Sequence, residues 1–243
     1  MGIGGFDLLV ALVGVAAGAI AAVSGFGIGS LLTPTLALQH DARLAVAAVS
    51  IPHLVGTALR FWMLRGHVDR TVLVRFGATS AAGALAGAAI GAFVRPAALR
   101  VLVGAMLVVV GSGEAAGWTR RMRFDGPMAW VAGAASGFFG GLIGNQGGLR
   151  AAAMLGFALP KAAFVATATA IALAVDAARM PVYALTEGAA LAAVSPQIAL
   201  ATSGVVVGTL AGERLLRAIP ERVFRRAVAT LLIALGLLVL ATA

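Results

Sequence analysis

The sequence predicts an all-α polytopic membrane protein made of two inverted repeats, each a broken or re-entrant helical hairpin followed by three transmembrane helices. Three observations predict it: composition, internal repetition and the placement of the basic residues. Of 243 residues, 61% are hydrophobic and 11% are charged, with a mean hydropathy of +1.02. A soluble domain carries about 25% charged residues, so a water-facing surface is excluded. A transmembrane helix takes roughly 20 apolar residues plus a connection, which leaves room for about eight segments and no extramembrane domain. The repetition lies in the glycines. Gly14, Gly18 and Gly25 recur as Gly133, Gly137 and Gly144 at an offset of 119, and Gly29 and Arg60 fall on Gly148 and Arg179 at the same offset. Gly83, Gly87 and Gly91 match Gly204, Gly208 and Gly212 at an offset of 121. The chain is therefore expected to be one membrane domain over 1–243, with repeat 1 at about 7–116, a polar linker at 117–126 and repeat 2 at about 127–242.

Each half opens with an apolar run, 7–23 and then 128–143, which stops at a glycine-rich break: SGFGIGS at 24–30 and GNQGG at 144–148. The N-terminus, MGIGGFD, has no basic stretch ahead of its apolar run, so that run is expected to stay in the protein and not be cleaved as a signal. Short apolar runs follow the breaks at about 29–38 and 149–159. Ten or eleven residues make roughly 15 Å of helix, half of the ~30 Å of hydrocarbon a crossing needs. The first arm, 7–23, reaches most of the way across at about 25 Å, so the first hairpin is expected to be deep. Three longer segments complete each half, at about 43–64, 71–93 and 97–116 and at about 161–184, 188–212 and 220–242. Pro34, Pro160, Pro181 and Pro196 are expected to mark kinks and segment boundaries. Glycine at every fourth position over 83–91 and 204–212 lets two helices touch, so those series read as packing seams.

The basic residues choose between two topologies. If each broken segment crossed the membrane, the halves would be parallel and the basic residues would split eight to nine between the faces. If each is a re-entrant hairpin, the second half is inverted. Arg60, Arg65, Arg70, Arg75, Arg120, Arg121, Arg123, Lys161, Arg214, Arg217, Arg222, Arg225 and Arg226 then share one face, against Arg43, Arg95, Arg100 and Arg179 on the other. Such a bias is what orientation by Lys and Arg produces. Trp62, Trp118 and Trp130 fall at the same basic face, as in an interfacial belt. Both termini are expected outside. The net charge of +9 follows from this rule, so nucleic acid is not an expected partner. With no cysteine, thiol redox chemistry and thiolate metal sites are excluded; no cofactor or metal is expected.

Helix breaks at membrane depth survive only where they are buried in protein or line a cavity, and paired discontinuous helices in inverted repeats mark the substrate site of secondary transporters. The arm after each break points its N-terminus, with its positive dipole end, at the break. The candidate substrate-binding residues are therefore Ser24, Gly25, Gly27, Gly29 and Ser30 at the first break, and Gly144, Asn145, Gln146, Gly147, Gly148 and Arg150 at the second. Arg150 is the sharpest of these, because a charge inside an apolar segment is costly and functional as a rule, and its fork of donors fits an oxyanion. Its competing role is to pair with Asp176 or to snorkel. Asp176, in the segment at about 161–184, reads either as the i,i+3 partner of Arg179 or as a proton-coupling carboxylate. His53 reads either as a hydrogen-bonded core histidine or as a group that titrates near neutral pH. Glu114, Glu187 and Glu213 sit near segment ends, where solvation explains them.

Two copies of a glycine-rich hairpin, GAIAAVSGFGIGSLLTPTLAL and GFFGGLIGNQGGLRAAAMLGFAL, resemble the TauE/SafE sulfite exporter family over essentially the whole chain. The family pattern in each half is approximately G-x-G-G-G followed by small and apolar residues. Carried onto this chain, it covers Ser24, Gly25, Gly27 and Gly29, then Gly144, Asn145, Gln146, Gly147 and Gly148. The chain departs from it at Ile28, at Asn145-Gln146 and at Arg150, and the last three add hydrogen-bond donors. The resemblance implies a small permease of the bacterial inner membrane, not an enzyme, which moves sulfite, an organosulfonate such as sulfoacetate or a related anion, driven by protons. The expected partners are that anion, protons and the lipid bilayer, with a homo-oligomer left open. An anion or small-solute channel of the same fold is the alternative. A membrane-embedded diphosphatase would need clustered acidic residues, and neither break carries one.

Overall fold

The computed structural model describes residues 4–25, 27–117, 127–144, 147, 150, 154, 157, 159–216 and 221–241. Among them all regular structure is helical: α1 Gly5–Ser24, α2 Ile28–Leu36, α3 Ala42–Leu64, α4 Arg70–Gly91, α5 Pro96–Ala115, α6 Pro127–Ile143, α7 Lys161–Ala193, α8 Ser195–Leu216 and α9 Glu221–Ala241. Five are long and apolar enough to cross a membrane, within Gly5–Ala22, Ala42–His67, Arg70–Gly91, Pro96–Gly113 and Ala162–Ala193. Large apolar side chains such as Leu12, Val74, Phe93, Val109 and Leu210 point outward, as a lipid-facing surface requires. The chain is a polytopic membrane protein.

Local chemistry sets the helix ends. The Asp7 carboxylate accepts the Gly4 N–H at 3.0 Å at the start of α1. Asp41 accepts from the N–H groups of Arg43 and Leu44 and opens α3, and Asp69 accepts from Val72 at the start of α4. Pro96 and Pro127 stand at the first positions of α5 and α6, where no N–H is needed. Pro160 caps α7. Inside α4, Leu73–Gly77 widens into a π turn that carries the fully buried Phe76 into a cluster with Met154, Phe157 and Ile171.

Two of the predicted boundaries move. The first arm, α1, has 20 residues, about 30 Å of helix and so the full hydrocarbon thickness. In the second half no break falls between 184 and 188; α7 runs unbroken for 33 residues through Pro181. Proline forfeits its own N–H bond, but here the flanking turn is tied from outside. Arg179 donates to the Gly140 carbonyl at 2.6 Å and the Tyr183 hydroxyl donates to the Gly141 carbonyl.

Glycine seams join helices distant in the chain. The helix before the first break, α1, packs on α8, and the helix before the second break, α6, packs on α4. The closing helices α5 and α9 pair with each other, as do α3 and α7. At the first seam a side chain on Gly18 would collide with the Val205 carbonyl, and one on Gly208 with that of Val15. At the second, Gly83 and Gly87 face the carbonyls of Ala134 and Phe138, while Gly137 and Gly141 face those of Ser80 and Ala84. The repeated glycines are thus the contact surfaces they were read to be.

Candidate functional site

The first break is built by backbone geometry that only glycine adopts readily. Gly25 ends α1 in the left-handed region, φ 79°, with its N–H on the Ala21 carbonyl. Gly27, φ 135°, opens α2, whose N-terminus therefore points back at the break. At the second break Gly144 repeats the Gly25 geometry, φ 73°, with its N–H on the Gly140 carbonyl. The two breaks touch: Gly29 on α2 lies against the Gly144 carbonyl so closely that a side chain there would collide with it. Thr33, a turn further along α2, lies 3.1 Å from where a Gly144 side chain would begin. It is buried, and its hydroxyl finds no hydrogen-bond partner among the described residues.

Of the residues expected to bind substrate, Gly25, Gly27, Gly29, Ser30, Gly144, Gly147 and Arg150 are all buried. Asn145, Gln146, Gly148 and the Ser24 side chain lie outside the described residues. Arg150 is 2% exposed, and its Nη1 has no hydrogen-bond partner among the described residues. It does not pair with Asp176, whose oxygens are taken elsewhere. Arg179 donates to Asp176 Oδ1 through Nη2 at 2.7 Å and Nε at 3.1 Å, the i,i+3 ion pair expected from the spacing. His53 on α3 bonds Asp176 Oδ2 through Nδ1 at 2.6 Å. Thr57, one turn along α3, stands 3.4 Å from the same ring nitrogen.

Arg60 and Arg179 depart from the sequence reading. Both were counted as arginines of the membrane faces, yet Arg60 is 3% exposed and Arg179 is 1% exposed. Arg60 lies inside the bundle because α3 packs on α7, where its Nε donates to the Thr169 hydroxyl at 3.2 Å. Its Nη1 has no partner among the described residues. Asp176 lies within electrostatic reach of Arg60, Arg150 and Arg179, and Arg150 within reach of the other two arginines. Arg179 is fastened to the last turn of α6, and through it the polar core is tied to the end of the helix that precedes the second break. Tyr183, whose ring lies 5.9 Å from the Arg179 guanidinium, also lines a narrow cleft with Arg43, Val46, Ala88, Leu142 and Thr186.

A multi-pass membrane protein with discontinuous helices meeting at a buried cationic core belongs to the permease class. The chain is a member of the sulfite exporter TauE/SafE family, whose family model matches residues 10–239. No curated protein and no solved structure matches it.

Proposed function

We propose that the chain is a secondary transporter that exports a small anion, sulfite or an organosulfonate, across a bacterial inner membrane, with movement coupled to protons. The observation that carries this reading is the charge of the core beside the touching breaks: among the described residues, three buried arginines face one buried carboxylate. Uncompensated charge in a low-dielectric interior is expensive, and an anionic cargo supplies the missing negative charge. Arg150, whose Nη1 is unpartnered among the described residues, is the direct contact, and the candidate residues of both breaks complete the site. His53 and Asp176 are the proton-carrying pair, and a titratable pair inside the site favours a coupled carrier over a channel.

The repeats are taken as inverted, with both termini outside. The antiparallel packing of the closing helices supports this, Gly104 of α5 facing Gly236 and Leu240 of α9 while Gly111 faces Ala229 and Ile233, and removing the buried Arg60 and Arg179 from the count leaves the basic bias with its direction unchanged. The test is the thermal stability of the detergent-purified protein against sulfite, sulfoacetate, thiosulfate, sulfate, acetate and chloride. A ligand that binds only the folded state stabilises it by about 2.7 kcal/mol at a hundredfold excess over Kd. A shift with a sulfur oxyanion is expected, and Arg150→Ala is expected to weaken that binding by about tenfold or more, as loss of one charged hydrogen-bonding partner does. Unchanged affinity in Arg150→Ala removes Arg150 from the site.

A further inference from the structure

Five of the nine acidic side chains lie among those described. Asp7, Asp41 and Asp69 cap helices, and Glu187 faces Arg43 at 3.8 Å. Glu114 and Glu213 stand in the last turns of α5 and α8, Glu221 opens α9, and Asp125 belongs to the linker between the repeats. Asp176 alone lies in the polar core among the described residues. It is committed to Arg179 and His53. Among the described residues, Arg60 and Arg150 are left as two buried guanidinium groups without a carboxylate, each with an unpartnered Nη1.

We infer that Arg60 is a second substrate-binding residue, which with Arg150 forms a two-guanidinium cradle selecting a ligand with two negative charges over one with a single charge. The inference rests on the anion-transport reading above and narrows its substrate class. Two excess cations in a desolvated core are neutralised by two negative charges and only half neutralised by one. Planar guanidinium forks also bond oxyanion oxygens in pairs. Fully deprotonated sulfite carries both charges on one group; sulfoacetate carries one on its sulfonate and one on its carboxylate. Among the described residues Arg60 is held by Thr169 through Nε, and its unpartnered Nη1 is left for the ligand.

The experiment is titration calorimetry on the full chain in detergent, at a pH where sulfite is fully deprotonated, with sulfite, sulfoacetate, methanesulfonate and acetate. The wild type is expected to bind the two dianions at least about tenfold more tightly than the two monoanions. Arg60→Gln, which keeps an amide donor for Thr169, is expected to erase that ratio while methanesulfonate affinity stays within about threefold. Arg60→Lys, which keeps the charge and loses the fork, is expected to fall between. A purely structural role for Arg60 would lower all four affinities together and leave the ratio intact, overturning the inference. Equal wild-type affinity for monoanions and dianions overturns it too, while leaving anion transport standing, and needs no variant to fold. Absence of binding by any of the four overturns the anion reading itself. Sulfite alone against sulfoacetate alone tells whether the two charges sit on one group or two.

Discussion

Asp176 holds together groups from two helices, bonding His53 of α3 through one oxygen and Arg179 of its own helix through the other. Arg179 in turn fixes the carbonyl end of α6 just before the second break. Replacing the carboxylate by an amide leaves Arg179 buried with a neutral partner. Breaking a buried pair from one side costs about 3–5 kcal/mol, and the amide oxygen, which still accepts one bond, should keep the loss near the lower end. Asp176→Asn is therefore expected to unfold at lower denaturant than wild type by roughly 3 kcal/mol. The same change removes the proton acceptor proposed for coupling. In proteoliposomes, anion flux in Asp176→Asn should no longer respond to an imposed pH gradient, although anion binding survives because the core has become more positive. Flux that still follows the gradient would move coupling away from the His53–Asp176 pair.

At the scale of the helices, the seams set which arm lies where. Gly137 faces the Ser80 carbonyl with no room for a methyl group, whereas nothing lies within 4 Å of a side chain placed on Gly188 of α7. Gly137→Ala should destabilise the folded protein by about 1–3 kcal/mol, the cost of overpacking. Gly188→Ala should be neutral or stabilising by up to about 1 kcal/mol, the helix-propensity gain. Thermal unfolding of the two single variants makes the comparison, and equal effects would mean that the seam is loose enough to absorb a methyl. Such seams are legible in the sequence, because a four-residue glycine period survives without knowledge of the partner. The partners are not, since α1–α8 and α4–α6 pairing joins segments far apart in the chain. The unbroken α7 is not legible either. Pro181 signals a boundary locally, and the bonds that hold its turn come from Arg179 and Tyr183 onto another helix.

For the whole molecule, the same distinction between local and long-range information separates what the chain reveals from what it hides. The duplicated breaks, Arg150 and the Asp176–Arg179 spacing are each readable within a few residues. Arg60 is not, because it stands one turn before the end of α3 and five residues from the exposed Arg65, a position that looks interfacial until α7 packs over it. Its match to Arg179 at the repeat offset was the one available signal. Orientation in the membrane depends on loop charge, and the chain's lack of cysteine makes it directly measurable. Single cysteines at Val68, Met122 and Ala218, reacted in intact cells with a membrane-impermeant maleimide, should all be protected from outside and all label after the membrane is opened. Val68 and Met122 bracket α4 and α5, so their common side requires an even number of crossings between them. Met122 and Ala218 bracket the second hairpin with α7 and α8, and they share a side only if that hairpin returns to the face it entered. Outside labelling of Ala218→Cys with Met122→Cys protected would make the second broken segment a full crossing, and the halves parallel rather than inverted.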